Sequence, residues 1–535
     1  MHDYSCEVVV VGGGVAGIAA ALELLERGRR VLLLDRDGPE GLGGLARESF
    51  GGMFFAGSPE QRRRKIEDSP ERAWADWQSY AEFGPDDRWP RAWAEAYVGR
   101  CIPEVYDWLR AYGVRFLPMP VWIERGESRP GNSVPRFHIV WGTGRELAGR
   151  LAAALQSHPR RHLVEMRFSH RVERLELAGG RIAGCSGVLE TDGTPFAARA
   201  ERVIVAAGGI NGDLERVRAH WHPDWGRPPD IILNGAHPFA DGRLHDAVAA
   251  VGGRVTHLDK MWNYASGVRH WRPRRPAHGL SLVPAKSALW LNWRGRRIGP
   301  PPLVGGFDTR HLVTAICAEE RAYSWQILNR RIALRELAIS GAEFNPAIRD
   351  KRPLAMLREL LLGNRWLVDE VTRHCPDVVV ARTLPELAQR MNALQGDDAV
   401  DAAMLEETVQ RYDAAAARGA AGDDEQLRRI ALLRAYRGDR LRIARRQTIM
   451  DEGALPLIAI REHIVSRKSL GGAQTDLSGR VLDGDGLPIV GLYAAGEAAG
   501  FGGGGMHGLR ALEGTFLGGC IFSGRIAGRA AAGEN

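Results

Sequence analysis

Val8-Val9-Val10-Val11-Gly12-Gly13-Gly14-Val15-Ala16-Gly17 is the stretch whose reading decides the fold. A continuous apolar run stopped by glycine is what a strand buried on both faces of a parallel sheet requires. The strand is expected over 6–11, a helix over 16–27, and a second apolar strand over 31–34 closed by Asp35. Between strand and helix stands Gly12-x-Gly14-x-x-Gly17. The first glycine permits the tight turn, the second lets backbone approach a pyrophosphate, and the third lets the helix pack closely. An acid at the end of the second strand can accept hydrogen bonds from ribose hydroxyls, the role expected of Asp35. This β-α-β unit, about thirty residues long, predicts a bound dinucleotide.

Three features further along decide which dinucleotide. Gly43-Gly44 and Gly51-Gly52, with Ser49 between them, form a second glycine-rich stretch. A nicotinamide domain has no need of it, whereas an extended FAD must be lined along its ribityl arm. Val203-Ile204-Val205-Ala206-Ala207-Gly208-Gly209 is a strand ending in small residues, suited to passing beneath the cofactor. Gly491-Leu492-Tyr493-Ala494-Ala495-Gly496-Glu497 ends a late strand and leads to a helix starting at Gly514-Thr515-Phe516-Leu517. That helix start offers free N–H groups and a positive dipole end, which favour the anion formed when a flavin is reduced. The expected FAD cradle therefore joins Gly12, Gly14, Val15, Ala16 and Gly17 to Asp35 and Arg36. It continues through Gly43, Gly44, Ser49, Gly51 and Gly52, then Val172, Ala206, Ala207 and Gly208. Gly496, Glu497 and the helix start at 514–517 complete it.

Outward from these motifs, residues 59–112 carry helical periodicity with tryptophans and tyrosines on apolar faces, read as core. Strand patterns follow over 172–177, 181–189 and 202–207. Strand-like residues near 289–297 give way to helical stretches over 384–391, 403–417 and 426–436. Strand and glycine signals return from 455. The pattern predicts an α/β protein: a Rossmann-like FAD-binding domain over 1–240, an inserted α+β substrate-capping domain over 241–450, and completion of the first domain over 451–535.

Bulk properties exclude several classes. The net charge of +7 comes from arginine, with lysine only at 65, 260, 286, 351 and 468. The arginines gather only into short clusters at 62–64, 272–275 and 442–446 among acidic neighbours, which argues against nucleic acid as a partner. No C-x-x-C pair supports zinc, an iron–sulfur cluster or a redox-active disulfide. No secretory segment and no apolar run of membrane-spanning length is read, so a cytoplasmic location is expected. No second G-x-G-x-x-G follows a strand, so electrons are expected to pass to or from a quinone, an external carrier or oxygen.

The fingerprint, Gly208-Gly209-Ile210, GLYAAGE at 491–497 and LEGTFLGG at 512–519 resemble the fumarate reductase/succinate dehydrogenase flavoprotein family, most closely its 3-ketosteroid 1-dehydrogenase side. The resemblance runs through essentially the whole chain. Asp241-Gly242 looks like the family's GDG turn, which implies a place for Asp241 near the flavin. Covalent members attach FAD through a histidine in the glycine-rich stretch, and 43–52 contains none, which implies non-covalent FAD.

Substrate motifs depart from both branches. Against the fumarate reductase pattern, Tyr264 falls at the dicarboxylate-binding histidine, no Thr-Glu pair occurs near 282–285, and Arg310 matches the proton-donating arginine. In the loop Met506-His507-Gly508-Leu509-Arg510, the arginine lies three residues after the histidine where that family has four. Ketosteroid dehydrogenases carry a tyrosine four residues before the helix-starting glycine, and here that position is Arg510. Neither set is complete, which implies a third substrate class. The chemistry expected is dehydrogenation, or the reverse reduction, of a C–C bond beside a carbonyl in a small molecule, with His507 and Arg510 as first candidates and Tyr264 as acid–base partner. Arg310, Tyr323 and His463 are further candidates, and Trp262, Trp271, Trp290 and Trp293 suit either an apolar wall or a core. Two alternatives stand: a fumarate-type reductase of a small carboxylate, and a flavin-binding redox sensor or assembly partner without turnover.

Overall fold

Val8–Val11 is buried at all four residues and is paired in parallel with a strand along each edge. In this computed structural model, which describes residues 2–419 and 424–534, the chain divides into two units. The first comprises residues 1–221, 236–262 and 467–535, and the second residues 222–235 and 263–466.

At the centre of the first unit five strands run parallel in the order Pro488–Ala494, Arg202–Val205, Val8–Val11, Val31–Leu34 and Val164–Arg167. Their register sets Val203 beside both Val9 and Leu492. Inward-facing Val9, Val11, Leu32, Val203 and Leu492 build one core. An antiparallel trio, His170–Ala178, Arg181–Leu189 and Pro195–Arg199, extends the sheet, and His2–Ser5 pairs with its last strand. The expected strand over 6–11 begins only at Val8. Glu7 accepts the Arg30 N–H at 2.9 Å, so this polar pair marks where the buried run starts.

The first helix, Val15–Glu26, buries eleven of its residues and packs on the last helix, Thr515–Ala532. Small residues make that approach possible. A Cβ on Gly524 would lie 2.3 Å from the Ala16 carbonyl oxygen, and one on Gly528 would lie 2.6 Å from that of Ala20. Helices Pro70–Ala81 and Arg88–Cys101 bear the aromatic residues expected as core, and Trp77, Tyr80, Trp93 and Tyr97 are fully buried.

The second unit is built on Leu457–Ser469, whose residues up to Ser466 pair with Tyr323–Asn329, Val378–Ala381 and Ile232–Asn234. Leu289–Asn292 extends this sheet, and Gly279–Val283 pairs with Met261–Arg269 at Gly267, Val268 and Arg269. Helices Leu384–Gln395, Ala402–Ala417 and Glu425–Ala435 cover it with Leu387, Met391, Leu405, Val409 and Ile430. The unit boundaries at 262 and 467 differ from the 240/241 and 450/451 expected. The reason is that Leu457–Ser469 and residues 241–262 carry strand and turn patterns that do not say which sheet they join.

Candidate functional site: a flavin cradle and its C-terminal loop

The fingerprint glycines divide by what a side chain would meet. A Cβ on Gly12, whose φ is +108°, would lie 2.4 Å from the Ala206 carbonyl oxygen, and one on Gly17 would lie 1.9 Å from that of Gly12. Both are closed by protein. At Gly14 a Cβ would meet nothing within 4 Å, so the space before the helix is open. Gly14 is also the N-cap of Val15–Glu26, with no side-chain cap and no acid in the first turn. The unshared N–H groups of Val15 and Ala16 and the helix dipole thus face an open, uncapped end, which fits a pyrophosphate.

The second glycine-rich stretch lies against this turn. The Gly43 N–H donates to the Gly13 carbonyl at 2.8 Å, and a Cβ on Gly44 would come within 3.2 Å of the Gly14 Cα. Ser49 accepts the Gly51 N–H at 3.2 Å, and Gly52 has a Phe137 ring where its side chain would be. Asp35 accepts from the backbone N–H groups of Gly13 and Asp37. Burial pushes its carboxyl upward against those two hydrogen bonds. Asp35 therefore fastens the glycine turn as well as standing where a ribose acceptor is expected.

Arg36 and Asp241 are brought together, each engaging the other. Arg36 Nη1 lies 2.7 Å from Asp241, its Nε pairs with Glu190, and its guanidinium covers the Phe239 ring at 4.5 Å. Val172 is buried in the antiparallel trio opposite Gly187. The Ala206 N–H donates to the Val11 carbonyl at 2.8 Å, and Ala207-Gly208 follow directly. Glu497, next to Gly496, accepts the Ser469 N–H at 2.9 Å, and burial pushes its carboxyl up to about 7.

The last helix begins at Gly514, φ +100°, again without a side-chain cap. The Gly514 carbonyl accepts the Phe54 N–H at 2.9 Å, tying this helix to the strand that follows Gly51. Thr515 donates to the Leu512 carbonyl at 2.7 Å, and Leu517 lies half-buried in the first turn. Two helix starts and an open glycine turn therefore belong to one unit.

Just ahead of that helix, the loop over 501–512 is held by tryptophans. Trp77 Nε1 donates to the Met506 carbonyl at 3.1 Å, Trp93 donates to the Asp476 carbonyl at 2.9 Å, and a Cβ on Gly502 would strike the Trp93 ring. His507 is fully buried, stacked on Trp77 with ring centres 5.8 Å apart and flanked by Phe501 and Phe516 at 4.9 and 4.8 Å. Burial, with the Lys468 charge nearby, pushes the imidazole down to about 3, so it is neutral near pH 7. Among the described residues, neither ring nitrogen has a hydrogen-bond partner. Arg510 pairs with Glu82, a residue just past the end of Pro70–Ala81 with φ +49°. Glu82 also pairs with Arg129.

Trp262 joins this group by donating to Glu513 at 2.9 Å, with its ring 6.3 Å from Phe516. The other tryptophans are placed elsewhere. Trp290 donates to Ser324 inside the second unit's core, Trp293 lies under Arg294 and Arg321, and Trp271 packs on Phe344.

The remaining candidates belong to the second unit. Tyr264 is half-buried on Met261–Arg269, next to Asn263, whose buried amide has no hydrogen-bond partner among the described residues. Arg310 is buried on Thr309–Cys317, donates to Asp224 at 2.9 Å and lies over the Trp225 ring at 4.8 Å. Tyr323 stands opposite His463 in register, and His463 lies 3.6 Å from Asp377, a carboxylate also bound by Arg269 and Arg461. His463 thus faces the Asp377 carboxylate network of the second sheet.

Lys468 escaped sequence reasoning. Its Nζ lies 4.0 Å above the Phe516 ring and 4.0 Å from Glu513, and burial brings the amine down to about 8. The available signal was its rarity: it is one of five lysines, just before Gly471-Gly472.

The sequence profile described as an FAD binding domain matches residues 7–517. The chain belongs to this FAD-binding family. It is 43% identical over 549 residues to a KsdD-like steroid dehydrogenase of Mycobacterium tuberculosis (strain ATCC 25618 / H37Rv), covering 99% of this chain and 96% of the relative. It is 44% identical over 548 residues to a KsdD-like steroid dehydrogenase of Mycolicibacterium smegmatis, covering 99% of both. The structure of 3-ketosteroid Δ1-dehydrogenase from Sterolibacterium denitrificans, with 1,4-androstadiene-3,17-dione, aligns at TM-score 0.72 over 99% of each chain. At 17% identity that likeness speaks for the fold. The protein is an FAD-dependent oxidoreductase of the dehydrogenase class acting on CH–CH groups, and its α/β fold is the one expected. Among the described residues, no helix is long and apolar enough to cross a membrane.

Proposed function

We propose that this FAD-dependent dehydrogenase acts on a 3-ketosteroid or a similarly apolar fused-ring ketone, removing hydrogen from a C–C bond beside the carbonyl. The observation that carries this reading is the 43–44% identity, along nearly the whole chain, to two KsdD-like steroid dehydrogenases. The loop at the head of the last helix supports it. A neutral imidazole set among Trp77, Phe501 and Phe516, with a cation three residues on, suits an apolar body bearing one polar oxygen. A dicarboxylate needs two fixed cationic anchors, and in this loop the arginine already has Glu82 as a partner.

The chain's own residues divide the work in this proposal. The open first turn at Gly14–Ala16 and the glycines at 43–44 and 51–52 hold FAD without a covalent bond. Bound FAD supplies a two-electron acceptor for the hydrogen leaving carbon. The helix start at Gly514–Leu517, reinforced by Lys468, stabilises negative charge at that end of the cradle. Arg510 polarises the carbonyl, and Glu82 positions Arg510. Tyr264 is assigned the proton exchange. Electrons leave to a quinone, a carrier or oxygen, and the location proposed is the cytoplasm.

Anaerobic titration of the purified holoenzyme with a 3-ketosteroid panel tests the reading. Loss of the oxidised flavin band near about 450 nm on adding a steroid is the expected result. A band that no steroid bleaches, but that small unsaturated carboxylates perturb, would replace it with the fumarate-type alternative. A flavin that responds to neither class would favour a protein without turnover.

A further inference from the structure

The helix Pro353–Leu362 of the second unit buries none of its residues. Its sequence, PLAMLRELLL, is mostly apolar, and Leu354 and Leu362 are 81% and 68% exposed. Leu357 and Leu361 are half exposed, and the spacing 354, 357, 361 puts the three on one stripe. The next helix, Arg365–His374, is the same length and buries Leu367, Val368 and Val371, although Trp366 at its start stays 45% exposed. An unburied leucine stripe in a unit with a large core of its own is a surface made to be covered.

The charge beside this stripe says by what. Leu361 lines a cavity of about 440 Å³ together with Leu441 and Arg331, Arg335, Arg440, Arg445 and Arg446. No acidic residue lines it, and Asp451 nearby pairs with Arg331 at 2.6 Å. Arg335 donates to the carbonyls of Leu360 and Leu361, at 2.6 and 2.5 Å, which seats a cation on the C-terminal end of the leucine helix. Arg445 and Arg446, from the cluster at 442–446, are exposed. The helix is ten residues long, too short to span a bilayer, and a short apolar face rimmed by arginine is the pattern of a helix lying in the headgroup layer.

We propose that this face docks on an anionic phospholipid surface, with the leucine stripe in the acyl boundary and headgroup phosphates in the arginine cavity. A second copy of the chain is the poorer occupant, because a symmetric contact would bring arginine against arginine. Docking holds the protein at a surface without inserting it. This inference is independent of the substrate assignment.

Flotation of the FAD-loaded full-length protein with vesicles tests it. The protein is expected to float with phosphatidylcholine vesicles containing phosphatidylglycerol at low salt, and to stay behind with pure phosphatidylcholine. Arg445→Glu/Arg446→Glu should cut the floated fraction about tenfold or more, since each cation near an anionic surface contributes about a factor of five. Leu354→Asp/Leu357→Asp should do the same by removing the apolar contact. Melting curves of both variants report folding, and the arginine variant, altered only at exposed positions, decides the matter if the leucine variant is unstable. No flotation with phosphatidylglycerol, or flotation that both variants leave intact, overturns the proposal. So does sedimentation showing a dimer that Leu354→Asp/Leu357→Asp splits, with no vesicle binding.

Discussion

His507 is the residue whose burial has the most direct consequence. An unfolded chain's imidazole takes a proton below about pH 6.5, while in the fold His507 resists protonation until about 3. Between those values the unfolded state binds more protons, so the stability that neutral His507 contributes is complete above pH 6.5 and is lost as pH falls toward 3. From about pH 7 to about pH 5 that loss is about 2 kcal/mol. Replacing His507 by Phe should flatten the acid limb of denaturant-melt stability by that amount, while His138 and His245, both pushed down to about 4 by burial, maintain the rest of it. An unchanged slope would mean that His507 finds a partner the protein does not supply. At Arg510 the expected outcome is kinetic. Arg510→Ala should keep full flavin content and lose about 10²–10³ in kcat, and Glu82→Gln should lose less because it leaves the guanidinium in place. Equal loss of flavin and activity in Arg510→Ala would make the residue a structural one. These two residues were legible because they lie in a motif-bearing loop. Lys468 and Glu82 were not, since a single lysine at a strand end or a glutamate after a helix reads as surface until the packing is known.

Elements carry the contrast further. The first β-α-β unit was readable to within a residue or two because periodicity, glycine spacing and the closing acid all agree. Met261–Arg269 and Tyr323–Asn329 were missed, because buried Asn263, Ser266, Ser324 and Gln326 interrupt the apolar runs. Ser266 finds its partner across the sheet, donating to Glu462 at 3.1 Å, and a single sequence does not show who such partners are. Helix packing in the first unit gives a paired test. Gly524 faces the Ala16 carbonyl at a distance no Cβ can occupy, whereas a Cβ on Gly149, in Thr143–Gln156, meets nothing within 4 Å. Gly149→Ala should stabilise the protein by about 0.5–1 kcal/mol through helix propensity. Gly524→Ala should cost about 1–3 kcal/mol by forcing the first and last helices apart, and should lower flavin content because both helix starts belong to the cradle. Equal effects at the two glycines would show that the close helix contact is not what requires Gly524.

For the whole molecule, each unit has its own core: Val9, Leu32, Val203 and Leu492 in the first, and Trp325, Ile327, Leu387 and Val409 in the second. The expected cradle residues at 12–17, 35–52, 206–208 and 496–517 all lie in the first, though they come from four separate stretches of chain. FAD held by these residues would be a long-range staple on one unit, joining residues about five hundred positions apart, and would stabilise that unit by mass action. The flavin should be released whole into the supernatant by acid precipitation, because 43–52 offers no histidine for attachment. Hydrogen exchange should then separate holoprotein from stripped protein by region. Amides at 14–18, 43–54 and 515–520 should exchange at least about tenfold faster without FAD, the change that follows from losing about 1.4 kcal/mol of local protection. Amides of Tyr323–Asn329 and Val378–Ala381, protected by their own sheet, should keep their rates. Faster exchange in those strands on stripping would mean that the second unit depends on flavin for its folding, and that its core is not sufficient. Flavin left in the pellet would mean a covalent bond formed by a residue outside the glycine-rich stretch.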